Sequence, residues 1–364
     1  MKILLLGEFS GVNINLKQGL QEIGHEVFLA ANGDGWKNLK GADKELFSYS
    51  KNMSTYEKIK NVLIKPLRCE QLSGYDVVQM ISPNIFHYLL LDVPIKRIKN
   101  NNEKLFVNGA GLDWFLYKAW KEGKYKKRGF LLENNLETQS IVNGKNFVSI
   151  CNNYTCKKVI KSADGIIPCV PFEYETPYIG LPNLMPAIMF PINTNVYKYT
   201  SNINRGKIVF FHGINRIEDK GTRYIVKAMS KLQKKYPNDV ECIVAERMEY
   251  SEYVKALECT NVVVDQCRGY GYGMNACISM AKGKVVMGGA EREFLKRANI
   301  SQEECPVINI KPDEEYIFSK MEEIVQERNC IEEMGYNSRK YIDKYHNYIN
   351  IAEKYICAWN SINS

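Results

Sequence analysis

No C-x-x-C pair occurs among the eleven cysteines of this 364-residue sequence, and its four histidines form no H-E-x-x-H arrangement. These absences remove the usual zinc frameworks. An odd number of scattered thiols in a chain this long fits reduced cysteines better than a disulfide scaffold, so neither a metal nor a disulfide is expected. Long hydrophobic runs are missing too. The opening MKILLLG offers four apolar residues, Ile3 to Leu6, before its glycine. That is too few for the core of a signal peptide, and no later stretch approaches the length of a membrane span. The expectation is a cytoplasmic protein. Internal repeats and low-complexity segments are likewise absent.

What is present is a chain able to bury a large core. Hydrophobic residues make up 45% of it, and its length suits two domains better than one. The formal charge of +8 favours anionic partners in general, among them nucleotides, diphosphate lipids, membrane surfaces and nucleic acid. Short apolar runs alternate with amphipathic stretches. KILLLG reads as a strand, and VNINLKQGLQEIGHEVFLAA as a helix, a turn at Gly24 and a second strand. YDVVQMIS (75–82), a helix through NIFHYLLLDVPIKRI and the strand EKLFVNGAG (103–111) continue the pattern. Such alternation implies a parallel sheet covered by helices.

Residues 171–205 interrupt this texture with proline, asparagine and glycine, which places a domain boundary near 195–205. Alternation then restarts. KIVFFHG, VECIVAE, NVVVDQ and KVVMGG read as strands, separated by the helices GTRYIVKAMSKLQKKYP, YSEYVKALECT and GMNACISMAKG. A second doubly wound domain is predicted, followed by a long helical region broken near Gly335.

Two such domains facing each other create a cleft at the carboxyl ends of their strands, where ligands bind in open α/β sheets. Two segments fall there. FFHGINRIEDKG (210–221) sets Arg216 and Lys220 just before a helix opened by Gly221. A guanidinium that can grip two oxygens, an ammonium and free backbone N–H groups suit a diphosphate; a solvated basic turn is the other reading. RGYGYGMNACISMAKGK (268–284) carries glycines at 269, 271 and 273. Read as G-x-G-x-x-A over Gly271, Gly273 and Ala276, with Glu291 further on, it imitates a dinucleotide fingerprint. In that fingerprint the first glycine directly follows its strand. Here QCRGY separates Asp265 from Gly271, so the turn comes too late, and a nicotinamide cofactor is not expected.

Three features, in order over most of the chain, resemble the GT-B glycosyltransferases, especially the group often called family 4. They are a glycine-containing turn after the first strand with GHEV entering the second, the G…R…KG element at Gly213, Arg216, Lys220 and Gly221, and YGYGMNACISMAKGKVV, which is similar to that family's EGFGLPxLEAMAxGxPVV. The resemblance implies an α/β chain of two doubly wound Rossmann-like domains facing a central cleft. Residues 1–195 would bind the acceptor and 200–344 the nucleotide sugar, with a C-terminal helix, about 345–364, returning to the first domain. It also implies donor contacts from Gly11, Gly213, Arg216, Lys220, Arg268, Tyr270, Gly271, Tyr272 and Gly273. Arg216 and Lys220 would neutralise the diphosphate leaving group, with no metal and no cofactor beyond the donor itself.

The sequence departs from that pattern at three places. The family's paired glutamates fall at Tyr270 and Ile278, and its N-domain histidine falls at Ala110 of AGLD, leaving Asp113. Asp113 either acts as a general base or sugar ligand, or caps a helix. Arg268 either adds a cationic contact or faces solvent, and His87 reads as a half-buried helix residue. In LYKAWKEGKYKKRGF (116–130), Lys118, Lys121, Lys124, Lys126, Lys127 and Arg128 interleave with Tyr117, Trp120, Tyr125 and Phe130. That texture suits an anionic membrane face or a lipid diphosphate, or else an exposed basic loop. No nucleic-acid motif accompanies it, so nucleic acid is not an expected partner. The function expected is sugar transfer from a nucleotide diphosphate donor to a glycan or lipid-linked acceptor in surface polysaccharide assembly, at the inner face of the membrane. The alternative is a non-catalytic protein of the same fold that binds a glycan or a partner.

Overall fold

The computed structural model describes residues 1–32, 34, 37, 39–46, 53–67, 70–126, 139–203, 206–214, 217–246 and 248–362. Its first sheet contains β1 (Lys2–Leu6), β2 (Glu26–Ala30), β3 (Val77–Met80), β4 (Lys104–Gly109) and β5 (Gly165–Pro168), in the order β2-β1-β3-β4-β5. The second contains β6 (Ile208–Ile214), β7 (Val240–Glu246), β8 (Val262–Val264), β9 (Val285–Gly288) and β10 (Ile308–Asn309), in the order β10-β9-β8-β6-β7. All pairings are parallel, with Leu4 opposite Phe28 on one side and Val78 on the other. Parallel strands are buried on both faces, which is why KILLL is a continuous apolar run. Leu4 and Leu6 sit with Val78 and Leu105 beneath the helices Val93–Asn100 and Phe147–Ser162, while Ile3 and Leu5 sit with Val77 and Phe106 beneath Val12–Glu22 and Tyr348–Asn360.

The last of these helices belongs by sequence to the end of the chain and by packing to the first sheet. Two polar residues in the middle of that sheet receive it. Trp359 Nε1 donates to Gln79 Oε1 at 2.9 Å, Gln79 Nε2 donates to Asn108 Oδ1 at 2.8 Å, and Tyr355 OH donates to the same oxygen at 3.1 Å. Gly19 makes the approach possible, because a Cβ there would strike the carbonyl of Tyr348. The two passages of the chain between the halves run side by side: Ile192 N donates to His346 O at 2.7 Å, and Tyr348 N to Ile192 O at 3.2 Å.

Some elements differ from expectation. Residues 84–92 are not helical beyond a tight turn at Tyr88–Leu90, and the regular helix begins only at Val93. Pro94 lies in its first turn, the place where a missing N–H and a ring against the preceding residues are tolerated. His87 therefore accepts from Leu89 N at the start of that turn instead of lying in a helix. The closing helix Ile331–Tyr345 runs through Gly335 unbroken, and the break falls at His346 and Asn347. Gly335 is there for proximity, since a Cβ would collide with the Gly283 carbonyl.

Candidate functional site

The carboxyl ends of both sheets open on one cleft holding a cavity of about 390 Å³, within the range of small-molecule sites. Its first-half wall comes from the segments after β1, β4 and β5, including Ser10, Ala110 and Glu173; its second-half wall is Gln266 and Gly271 to Met274. At the rim of the first half, Ser10 N donates to Asp34 Oδ2 at 2.9 Å, and Lys37 Nζ donates to Ser10 Oγ at 2.8 Å. Asp34 and Lys37 line the cavity.

In the second half, the helix Thr222–Lys235 starts at Gly221, whose φ of 72° lies in the left-handed region, and no side chain caps it. Its leading N–H groups carry the positive end of the helix dipole. Arg268 folds over this terminus, its Cγ 3.2 Å from where a Gly221 Cβ would stand. The residue is buried, and its Nη1 has no hydrogen-bond partner among the described residues. The guanidinium carbon lies 5.6 Å from the centre of the Tyr224 ring. Lys220, immediately before Gly221, is also buried but has partners, donating to Asp265 Oδ1 at 2.8 Å and to the Gly213 carbonyl at 3.0 Å. Arg216 lies outside the described residues. His212 bridges the Val264 carbonyl at 2.7 Å and the Thr222 hydroxyl at 3.0 Å; burial and the nearby Lys220 charge push it down to about 4, so the ring is neutral at pH 7.

The glycine loop lies between β8 and the helix Met274–Ala281. Gly271 needs its missing Cβ, which would stand 2.9 Å from the Phe294 ring and 3.0 Å from Val170. Gly273 opens the helix without a side-chain cap. Tyr270 is turned into the first half, its ring 4.8 Å from Phe172 and 5.9 Å from Tyr125. The Tyr272 hydroxyl meets Tyr341 OH at 2.6 Å and His346 Nε2 at 2.9 Å, while His346 Nδ1 reaches the Phe190 carbonyl at 2.8 Å. Burial holds His346 down to about 4. Ile278 is buried in the core.

Glu173 is the residue that sequence reasoning missed. It comes from the first half, is buried, lines the cavity, and its Oε2 accepts from the amides of Tyr270 at 2.9 Å and Gly271 at 3.2 Å. A carboxylate thus meets the loop from across the cleft, beside the position where the loop has Tyr270. Gly11 opens the helix Val12–Glu22 with φ of 92°, its N–H donating to Glu8 Oε1 at 2.7 Å, and a Cβ there would lie 3.7 Å from Met274 Cε. Burial raises Glu8 to about 7, against the pull of the Ile14 and Gly11 amides.

Asp113 does not line the cavity. It is buried, accepts from Leu116 N at 2.8 Å as the cap of the helix Trp114–Lys121, and takes a hydrogen bond from the Tyr178 hydroxyl. Burial raises its carboxyl, with Tyr178 and the amide contacts opposing. Of the basic stretch 116–130, residues 127–130 lie outside the described residues; Lys118, Lys121, Lys124 and Lys126 are exposed. Among the described residues, no helix is long and apolar enough to cross a membrane.

No protein-family model matches the sequence, and no curated protein matches it. Solved structures do resemble it. Sucrose-phosphate synthase from Thermosynechococcus elongatus superposes with a TM-score of 0.63 at 13% identity, covering 99% of both chains. HepE from Anabaena, in complex with UDP and glucose, gives 0.63 at 11% identity over 99% of this chain and 100% of its own. UDP-GlcNAc 2-epimerase from Neisseria meningitidis, bound to UDP-GlcNAc, gives 0.51 at 12% over 99% and 100%. At these identities the likeness is one of fold, and the fold is GT-B: two Rossmann-like halves facing a cleft, with the final helix returning to the first.

Proposed function

We propose that this chain transfers a sugar from a nucleoside diphosphate to a glycan or lipid-linked acceptor, in the assembly of a surface polysaccharide. One observation carries the reading. A buried arginine with an unpartnered nitrogen stands over an uncapped helix N-terminus at the carboxyl edge of a parallel sheet. An unpaired cation is costly to bury, and the arrangement suits a diphosphate that supplies the missing negative charge. Departure of that diphosphate is the step such a site assists, by neutralising charge and holding donor and acceptor together. In this reading Arg268 and Arg216 face the diphosphate. Lys220 holds the loop through Asp265 and Gly213, and Asp113 orders the acceptor wall without touching the sugar. No metal is needed for these roles. Glu173 and Gln266 would face the sugar, with Ser10, Asp34 and Lys37 on the acceptor side. The base to try first is uracil, because two of the similar structures hold UDP or UDP-GlcNAc.

The test is calorimetric titration with UDP, GDP, CMP and NAD in parallel, repeated on Arg268→Ala. Selective binding of one nucleoside diphosphate, lost in the variant, supports the reading, and binding of none sinks it. Incubation with the matching nucleotide sugars then separates the chemistries. Transfer to water or an added acceptor is expected; an epimerised sugar nucleotide would replace transfer with isomerisation. Binding without any turnover would favour the non-catalytic alternative, which the non-acidic Tyr270 and Ile278 and the Ala110 side chain would suit.

A further inference from the structure

One face of the first half carries exposed apolar side chains beside an excess of lysine. The helix Phe147–Ser162 buries Ser149, Asn153, Cys156 and Val159 and turns Phe147, Ile150 and Tyr154 outward, spaced so that they share a face. Phe147 is 63% exposed and Ile150 54%. The Tyr88 ring meets Phe147 edge-on at 6.2 Å, which brings the exposed Leu89 and Val93 to the same patch. Single exposed apolar residues are ordinary, but a contiguous group marks an interaction surface.

Three helices that meet around this patch, Val93–Asn100, Trp114–Lys121 and Phe147–Ser162, contain no aspartate or glutamate. Lys157 Nζ lies 3.9 Å from the centre of the Trp114 ring, and Lys99 Nζ donates to the Ser162 carbonyl, so the three adjoin. Lys96, Lys99 and Lys118 pair with Asp92, Asp164 and Glu122 from neighbouring segments. Lys121, Lys157, Lys158 and Lys161 have no carboxylate partner among the described residues. Lys158 lies 5.5 Å from the Tyr154 ring centre, so cation and aromatic are presented together.

We propose that this face seats the protein on an anionic lipid bilayer. Phe147, Ile150, Leu89 and Val93 would enter the headgroup boundary, and the unpaired lysines would meet lipid phosphates. Charge complementarity selects this occupant, because beyond the three lysines paired with Asp92, Asp164 and Glu122 the rim keeps an excess of cations, which suits a surface of anionic phosphates. The chain links this side of the first half to the cleft: Trp114, under Lys157, follows by two positions Leu112, which lines the cavity. A lipid-linked acceptor would then be delivered from the bilayer to the first-half wall. The inference rests on the proposed acceptor only for its purpose, since seating needs no donor.

The experiment is co-sedimentation of the full chain with vesicles of phosphatidylglycerol and phosphatidylcholine against pure phosphatidylcholine, at low and high salt. Binding is expected only to the anionic vesicles and is expected to weaken with salt. Phe147→Asp, and separately the pair Lys157→Glu and Lys158→Glu, should each lower the bound fraction at least about tenfold. Nucleotide titration should be unchanged in both, which shows that the variants fold and keeps this outcome separate from failure of the proposed function. Equal binding to both vesicle types, or wild-type binding by both variants, overturns the proposal. So does a dimer that either variant splits, which would give the face to a second copy of the chain.

Discussion

Two buried cations near the second-half wall differ in what surrounds them. Lys220 is neutralised by Asp265 at 2.8 Å, whereas Arg268 keeps a nitrogen without a partner among the described residues. Lys220→Met should strand the Asp265 charge and cost about 3–5 kcal/mol of stability, with most of it regained in Lys220→Met combined with Asp265→Leu. Thermal unfolding of the two variants measures this. Arg268→Ala should leave stability within about 1 kcal/mol and weaken nucleoside diphosphate binding about ten- to a hundredfold, read by calorimetry. Glu8 supplies a pH signature. Its folded value, about 7, lies above its ordinary 4.5, so between these two pH values the native state holds more proton than the unfolded one. Stability from this group is therefore complete below about 4.5 and lost as pH rises to about 7. The difference in melting temperature between wild type and Glu8→Gln should vary across that window and be flat above it. Of the candidate site, the glycine loop could be picked out from its own segment, while Arg268 was left open there between a cationic contact and solvent, and the structure shows it buried. Glu173 could not be picked out, because 97 positions separate it from the Tyr270 amide it holds and nothing local marks a carboxylate that acts across a cleft.

Elements were legible where one kind of burial dominates. Strands such as Lys2–Leu6 and Val262–Val264 could be read because they are apolar on both faces, whereas Gly165–Pro168 and Ile308–Asn309 were not read, being too short to show a pattern. The helix Phe147–Ser162 was not, because its buried face is Ser149, Asn153, Thr155 and Cys156 as much as Val159 and Ile160, which leaves little hydrophobic period to detect. The span 84–92 misled in the opposite way, its apolar residues suggesting a helix that Pro94 forbids from running through. Gly19 gives the sharpest test at this scale. Gly19→Ala raises helix propensity but forces a methyl against the Tyr348 carbonyl, so the two packed helices must separate. A loss of about 1–3 kcal/mol is expected in denaturant unfolding, with Trp359 fluorescence reporting the displaced helix.

Across the whole molecule, the segment after β5 holds the halves together at the cleft. Val170 abuts Gly271, Phe172 packs at a tilt against Tyr270, Glu173 takes the loop amides, and Glu175 pairs with Arg297 at 3.3 Å. Glu173→Ala should free the amides and loosen closure. A larger radius of gyration by small-angle scattering is expected without ligand, and the excess should shrink when UDP is added; no change would assign closure to the aromatic contacts alone.

The returning helix gives assembly an order. Gln79 and Asn108 sit in the middle of the first sheet, and the groups that answer them belong to Tyr355 and Trp359, nearly 250 positions or more downstream. On the ribosome, the half made first must therefore wait, its polar strands unanswered, until the last helix emerges. A protease nick in the passage between Lys198 and Ile203 would cut the backbone and still leave one particle, held by a helix that the later fragment carries and the earlier fragment needs.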